Sequence, residues 1–153
     1  MVKSQPDNYR TITATLAVDG AAGAIEFYRN VFGATERLRM SAPGDKVAHA
    51  ELEIGDSVLM LADEFPEADF FGPSRFGGTP IALSVYVDDV DATFARALAA
   101  GAVAIRPPED QFYGDRAGQF LDPWGYRWGV ATHVEDVDPA ELARRQAELF
   151  GDD

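Results

Sequence analysis

Two segments decide the fold of this chain: VDGAAGAIEFYRNVFGA at residues 18–34 and VDDVDATFARALAAGA at residues 87–102. In each segment, apolar residues recur at helical spacing and a Gly-Ala pair follows, which predicts an amphipathic helix that ends at the glycine. The segments begin 69 positions apart, and their Gly-Ala pairs lie 68 positions apart. Repetition at a nearly constant distance indicates a chain built from two similar modules.

An alternating segment precedes each of these helices. Residues 11–18 (TITATLAV) and 80–87 (PIALSVYV) place apolar side chains on every second position, which predicts half-buried strands. In the first of them, Ile12 falls on the apolar face. Shorter strands are predicted after the helices, at 36–40 and 103–106. Each module therefore begins strand, helix, strand.

A predicted hairpin closes each module. In the first, Gly55-Asp56 separates the alternating runs VAHAELEI and SVLMLAD, so a two-residue turn places Glu51 opposite Met60. His49, Glu51 and Met60 then share one face of the sheet, and the leucines share the other. In the second module, GQFLDPWGYRWGVAT predicts a hairpin that turns within DPWG.

A third helix is predicted near the end of the chain, over residues 138–150. Asp138 suits the capping position, Pro139 suits the first turn, and Glu141 completes a capping-box pattern. The helix has one narrow apolar stripe, so we expect it to dock on the body of the protein or on a second subunit.

The composition limits the classes of partner. Thirteen basic residues against 26 acidic ones give a net charge of -13, which repels nucleic acid and anionic lipids and concentrates cationic ligands. The absence of cysteine excludes disulfides, thiolate nucleophiles and cysteine-ligated zinc. Neither a membrane-spanning run nor an apolar export signal is recognisable, so we expect a cytoplasmic protein.

Three further stretches carry a resemblance to a known family: HAELEIGDSVLMLADEFPE, GGTP and EDQFYGDRAGQFLDPWGYRW. The chain resembles the vicinal oxygen chelate superfamily of glyoxalases, bleomycin-resistance proteins and extradiol dioxygenases, and within it the PhnB-like branch. The resemblance implies an α+β fold in which two βαβββ modules form a curved mixed sheet around a cavity. The domain then spans 9–133, with modules at 11–63 and 80–133 and a phenylalanine-rich connector at 64–79.

The same resemblance implies where a metal ion would bind. Members of the superfamily usually hold a divalent metal between the two modules on four inward side chains. Those four positions fall here on Thr13, Met60, Ala82 and Gly129. Because a Zn, Fe or Mn ion needs several nitrogen or oxygen ligands, we expect neither a metal site nor a cofactor.

His49 and Glu51 are the candidate catalytic residues. They lie two positions apart, so both side chains project from the same face of their strand. Three interpretations remain open: an ordinary polar pair, a metal site that lacks a third ligand, and direct contact with a ligand or its proton.

A second cluster, QFYGDR at residues 111–116, lies in a loop that the resemblance places beside the mouth of the second module. It offers a tyrosine hydroxyl and both signs of charge to a polar ligand. The alternative is a structural ion pair by which Arg116 fixes the loop. The predicted ligand-binding residues are Thr13, Thr15, His49, Glu51, Met60, Tyr86, Gln111, Tyr113, Asp115, Arg116 and Phe120.

The function that these observations predict is metal-free binding of a small, partly aromatic or cationic organic molecule. The alternative is an enzyme of the superfamily, a lyase, isomerase or dioxygenase, that uses non-standard ligands or acid-base chemistry by His49 and Glu51. Because a half-size module buries little surface alone, we expect the modules to pair, within one chain or between two chains, and we predict a homodimer.

Overall fold

The computed structural model describes residues 1–151, which divide into two compact units. The first unit comprises residues 1–80 together with 123–126, and the second comprises residues 81–122 and the chain from Arg127 onward. Each unit contains one helix packed on one face of a four-stranded sheet. The opposite face of each sheet carries the residues of functional interest.

The first unit repeats the predicted order of strand, helix and three strands. Its elements are β1 (Thr15–Val18), α1 (Ala21–Phe32), β2 (Thr35–Ala42), β3 (Lys46–Ile54) and β4 (Ser57–Asp63). The strands are ordered β1-β4-β3-β2, with β1 parallel to β4 and the other pairs antiparallel. Two short 3-10 turns, Pro66–Ala68 and Pro73–Phe76, follow β4.

The second unit has the same order. Its elements are β5 (Ala82–Tyr86), α2 (Val90–Ala99), β6 (Val103–Asp110), β7 (Asp115–Leu121), β8 (Arg127–His133) and α3 (Pro139–Phe150). The sheet is again mixed, in the order β5-β8-β7-β6. The predicted α+β architecture of two βαβββ modules and a C-terminal helix is therefore confirmed.

Helix α1 begins and ends where its local chemistry dictates. Gly33 has a positive φ of 67° and its N–H donates to the Arg29 carbonyl, which confirms the predicted glycine stop. At the other end, the buried Asp63 carboxylate accepts hydrogen bonds from the N–H groups of Gly20 and Ala21. Asp63 lies at the end of β4, so this strand caps the start of the helix that packs on the sheet.

Apolar side chains of α1 and of the facing sheet form the core of the first unit. Ile25 and Tyr28 on the helix, and Leu52 and Leu61 on the sheet, are fully buried. Truncating one of these leucines to alanine costs about 2–5 kcal/mol in typical cores. Ile12, which the alternation assigned to the apolar face, lies outside this core: it precedes β1, which begins at Thr15, and is 89% exposed.

The tetrapeptide 123–126 contributes to the first unit. The Trp124 ring packs against Phe27 with a centroid separation of 5.7 Å, and the Tyr126 hydroxyl bonds to both the N–H and the carbonyl of Ala17. The Tyr126 hydroxyl therefore fixes the backbone of β1.

Helix α3 forms as predicted, with the Asp138 carboxylate accepting from the Glu141 N–H. The Glu141 carboxylate does not complete the capping box, because it accepts from Arg144 and Arg145, which lower its pKa to about 2. Among the described residues, no helix has the length and apolar composition needed to span a membrane.

Candidate ligand-binding site

Direct cross-strand pairs align four side chains across the open face of the first sheet. Glu51 on β3 pairs with Leu38 on β2 and with Met60 on β4, and Met60 pairs with Thr15 on β1. Directly paired residues point to the same face of a sheet. We call Leu38, Glu51, Met60 and Thr15 the first row. The pairing of Glu51 with Met60 confirms the predicted hairpin register.

The second sheet has an equivalent row. Gln119 on β7 pairs with Arg106 on β6 and with Gly129 on β8, and Gly129 pairs with Ser84 on β5. Each member lies 68 or 69 positions after its counterpart in the first row, the same spacing as the helix segments. We call Arg106, Gln119, Gly129 and Ser84 the second row.

A depression, the first hollow, lies over the first row. It is lined by Leu38, His49, Glu51, Met60 and Thr13, and by residues from the N-terminal segment: Ser4, Gln5, Pro6, Tyr9, Arg10 and Thr11. The first sheet therefore presents its predicted site residues to a space that part of its own chain already borders.

Glu51 is the most constrained group in the first hollow. It is 3% exposed, and its carboxylate accepts the hydroxyl proton of Tyr9, with Tyr9 Oη 2.6 Å from Oε2. This hydrogen bond raises the pKa of Tyr9. His49 Nε2 lies 3.8 Å from Glu51 Oε2, too far for a hydrogen bond but close enough for an ion pair when the imidazole is protonated.

The N-terminal segment is held over this face by two more contacts. The Arg37 guanidinium lies 4.9 Å above the centre of the Tyr9 ring, and Arg10 forms an ion pair with Asp56. Cation–π and surface ion-pair contacts are each individually weak, so the buried Glu51 carboxylate is the main anchor of the segment.

A second hollow of about 350 Å³ lies over the second row. Its polar lining includes the side chains of Arg106, Gln119 and Ser84. Its apolar walls are formed by one proline and by alanines, valines and tyrosines. The residues that line it are Ser84, Val85, Tyr86, Arg106, Pro107, Glu109, Gln111, Tyr113, Asp115, Ala117, Gly118, Gln119, Gly129, Val130 and Ala131.

Asp115 organises one wall of the second hollow. It is 6% exposed and accepts the Tyr86 hydroxyl proton at 2.8 Å, and His133 Nδ1 lies 2.7 Å from its other oxygen. His133 Nε2 lies 2.8 Å from Asp136. The two carboxylates raise the pKa of His133, because they stabilise the charged imidazolium. Asp115 therefore orients Tyr86 and has little capacity left for a ligand.

The structure brings the predicted site residues together in two groups. Thr13, His49, Glu51 and Met60 line the first hollow, and Thr15 belongs to the first row. Tyr86, Gln111, Tyr113 and Asp115 line the second hollow.

Phe120 is a correction to the predicted site. Its side chain is fully buried and its ring packs edge to face on Phe94 of α2, 6.1 Å between centroids. Because Phe120 pairs directly with the buried Trp128, it shares the helix-facing side of the sheet. Phe120 is a core residue.

Arg116 is the second correction. Its guanidinium forms ion pairs with Asp91 on α2 and with Asp110 at the end of β6, and the residue does not line the second hollow. These two carboxylates raise its pKa. The predicted alternative, a structural ion pair by which Arg116 fixes the loop, agrees with these contacts. The partners are Asp91 and Asp110, because Asp115 is bonded to Tyr86 and His133.

The residues at the family's metal positions do not fit a metal ion. Thr13, Met60, Ala82 and Gly129 supply one hydroxyl and one thioether between them. A divalent transition metal needs a set of nitrogen, carboxylate or thiolate donors. Within residues 1–151, no group of three or more His, Asp or Glu side chains is placed to hold an ion.

Comparison with known proteins agrees with this architecture. Residues 11–130 match the Glyoxalase/Bleomycin resistance protein/Dioxygenase superfamily. The chain belongs to that superfamily. An uncharacterized protein of Mycobacterium tuberculosis (strain H37Rv) is 42% identical to this chain over 130 residues. The matched region covers 83% of this chain and 76% of that protein.

Three solved structures are similar to this chain in fold. TioX from Micromonospora sp. ML1 superposes with a TM-score of 0.62 at 28% identity, over 84% of this chain and all of TioX. A superfamily enzyme from Burkholderia phytofirmans has a TM-score of 0.62 at 23% identity, over 80% of this chain and 97% of that one. A PhnB protein from Bacillus cereus also scores 0.62, at 19% identity, over 80% and 99%.

Sequence reasoning missed four residues of the two faces: Tyr9, Ser84, Arg106 and Gln119. One signal in the sequence was sufficient for two of them. Adding the repeat spacing to the predicted residues Thr15 and Glu51 leads to Ser84 and Gln119, whereas Arg106 corresponds to Leu38, which the sequence did not single out. No comparable signal exists for Tyr9, because its contact with Glu51 joins residues 42 positions apart.

Proposed function

We propose that the protein is a PhnB-like member of its superfamily that binds a small organic molecule without a resident metal ion. The observation that carries this proposal is the second hollow, whose volume of about 350 Å³ lies within the range of small-molecule sites. Its lining combines apolar walls with a few hydrogen-bonding groups, which is the usual composition of such sites.

The donor chemistry at the metal positions supports the metal-free part of the proposal. Met60 and Gly129 stand where the resemblance expects a metal ligand in each module, and neither offers an oxygen or nitrogen atom. The Lewis-acid chemistry of the superfamily depends on a metal ion that polarises a substrate oxygen. Binding, rather than that chemistry, is the function these side chains favour.

Thermal unfolding of dialysed protein tests the proposal. We expect organic compounds to raise the melting temperature, because a ligand that binds only the folded state stabilises it. Zinc, manganese and nickel salts should have no such effect. A rise with a divalent metal and none with any organic compound would overturn the proposal, and metal analysis of freshly purified protein provides an independent check.

A second candidate function is acid-base catalysis by His49 and Glu51, as an isomerase or lyase. Their 3.8 Å separation in the first hollow favours it. The buried Glu51 carboxylate, however, already accepts the Tyr9 hydroxyl proton, so the N-terminal segment must move before Glu51 can contact a substrate. Retention of full activity in His49→Ala, for any activity found, would exclude this mechanism.

The predicted homodimer remains part of the proposal. Ile81 and Val103 are more than half exposed, and a second subunit that covers such apolar side chains would bury area now in contact with water. Light scattering at micromolar concentration tests it. A stable monomer would contradict the prediction.

A further inference from the structure

We propose that the second hollow binds a small organic carboxylate, with Arg106 as its cationic anchor and with Gln119 and Ser84 as hydrogen-bond partners. The inference rests on the proposed function and names the ligand chemistry of the same site. It depends on four features: an arginine without a partner, the neighbours of that arginine in the second row, the open floor at Gly129, and the absence of a cation at the equivalent position of the first row.

Arg106 lacks the ion pair that most arginines of this chain form. Seven arginines are paired with carboxylates: Arg10, Arg29, Arg37, Arg39, Arg116, Arg144 and Arg145. Arg75 lies over the Phe71 ring, and Arg96 donates to the Thr93 hydroxyl. Within residues 1–151, the guanidinium of Arg106 has neither a carboxylate nor a hydrogen-bond acceptor. The same is true of Arg127, but only Arg106 lines the second hollow. In a chain with twice as many acidic as basic residues, this leaves its donors free for a ligand.

The neighbours of Arg106 extend the same donor surface. Gln119 pairs directly with Arg106 across the sheet and offers amide donors, and Ser84 offers a hydroxyl at the far end of the second row. The guanidinium group presents parallel N–H donors that match the two oxygens of a carboxylate. A carboxylate on Arg106 therefore leaves Gln119 and Ser84 for polar substituents of the ligand.

Gly129 keeps the floor of the hollow open between Gln119 and Ser84. A Cβ added there would lie 3.5 Å from the Ser84 hydroxyl oxygen, an ordinary contact, so the backbone does not require glycine at this position. The missing side chain is therefore space available to a ligand. Pro107 and Tyr113 border the same space with apolar surface, which suits a ring or short chain attached to the carboxylate.

The negative groups in the second hollow do not neutralise Arg106. Asp115 is engaged by Tyr86 and His133. Glu109 also lines the hollow, but forms no ion pair with Arg106 within the part of the chain described by the structure. Glu109 is thus the candidate partner for a ligand of opposite charge, and the experiment includes that alternative.

The residues of the first row indicate that carboxylate binding is specific to the second module. Leu38 occupies the position of Arg106, Met60 that of Gly129, and the buried Glu51 that of Gln119. A carboxylate would find no cation among the residues of the first row and would face the charge of Glu51. The two faces of one chain therefore provide a test site and its internal control.

Three probes with the same ring and different charge test the proposal: benzoate, benzamide and benzylamine. Each is titrated into the full-length ¹⁵N-labelled protein, and amide shifts are followed at Gln119 and Gly129 and, as the control face, at Glu51 and Met60. We expect benzoate to shift the second-row amides alone and to bind about tenfold or more tightly than benzamide, the contribution of a charge-assisted hydrogen bond.

Two variants assign the effect to the guanidinium. Arg106→Gln should weaken benzoate binding about tenfold or more. Arg127→Gln is the matched control: it removes the same charge from an exposed arginine of the same unit that has no ion pair within residues 1–151 and does not line the hollow. Arg127 lies two residues from Gly129 on β8 but outside the hollow, so its substitution should change the affinity much less than Arg106→Gln does. Unchanged amide spectra elsewhere establish that both variants are folded.

The outcomes separate this inference from the proposed function. If benzamide or benzylamine binds as tightly as benzoate, or if Arg106→Gln leaves benzoate binding unchanged, the carboxylate proposal is overturned while small-molecule binding stands. If no probe shifts the second-row amides at high millimolar concentration, the carboxylate proposal is also overturned. The proposed function then fails only if the thermal screen finds no organic ligand.

Discussion

The two modules share one backbone plan but present opposite chemistry on their open sheet faces. In the first row, an apolar residue, a buried carboxylate and a thioether lie beneath the N-terminal segment. In the second row, a cation, an amide and a glycine line an open hollow. The shared backbone plan therefore fixes where side chains project, and the residues at equivalent positions decide which chemical groups each face presents.

The helix ends show the same division between plan and chemistry. Asp63 at the end of β4 accepts from the first N–H groups of α1. At the equivalent position of the second module, the Thr132 hydroxyl accepts from the Val90 N–H of α2. Helix α2 also has a charged cap of its own, because the Asp89 carboxylate accepts from the Ala92 N–H. Different side chains therefore satisfy the first N–H groups of the helix in the two modules.

The largest expected effect is on stability, and it differs between one hairpin turn in the second module and one in the first. Gly114 has a φ of +100°, and a Cβ there would lie 2.2 Å from the Glu135 carbonyl oxygen. Gly55, in the turn of the first module, also has a positive φ but has open space around it. We expect Gly114→Ala to lower the free energy of unfolding by about 3 kcal/mol or more and Gly55→Ala by about 1 kcal/mol. Urea denaturation measures both, and equal losses would contradict this difference.

The next largest effect is expected on benzoate affinity when a residue of the second row is replaced by its counterpart from the first row. Gly129→Met places in the second hollow the side chain that Met60 places in the first row, and should abolish benzoate binding because the ligand space is filled. Gly129→Ala should weaken binding less, since its Cβ makes only ordinary contacts. Calorimetric titration measures both affinities. Wild-type affinity in Gly129→Met would show that the ligand binds elsewhere.

A moderate effect on the melting temperature is expected when the contact of the N-terminal segment with the first row is weakened. Tyr9→Phe removes the hydrogen bond to the buried Glu51 carboxylate, so it should lower the melting temperature and speed amide exchange in the N-terminal segment. Tyr113→Phe is the matched control, because within residues 1–151 its hydroxyl has no hydrogen-bond partner. Equal effects of the two substitutions would show that the segment is held by other contacts.

The smallest effect is a pH dependence in the second module. The pKa of His133 is raised above 6.5 by Asp115 and Asp136, so its contribution to stability is complete below pH 6.5 and is lost as the pH rises through the folded pKa. Imidazole NMR titration should show this raised pKa. His133→Gln should remove the corresponding loss of stability at higher pH, and an identical pH profile in wild type and variant would contradict the assignment.

Much of the architecture could be predicted because it depends on local pattern. The helical spacing before Gly33, the alternation around Gly55 and the capping residues before Pro139 each specify a conformation through neighbours close in sequence. The same alternation placed His49, Glu51 and Met60 on one face correctly. The PhnB-like assignment and the homodimer remain predictions.

Local pattern was insufficient in β6 and β7. The strand β7 (DRAGQFL) has no clean alternation, so the packing of Phe120 on Phe94 decided which of its residues face the helix. In β6, register shifts on both sides of Arg106 interrupt the period of two that would have predicted its direction.

The sequence by itself determined the two βαβββ modules, the glycine stop of α1, the hairpin register of the first module and the lack of metal-binding side chains at the family's positions. Only the tertiary structure decided that Tyr9 meets Glu51, that Arg116 meets Asp91 and that Arg106 meets no carboxylate within residues 1–151. The physical reason is that strand and helix periods act between neighbours in sequence, whereas ion pairs and buried hydrogen bonds depend on which distant side chains the packing brings within reach.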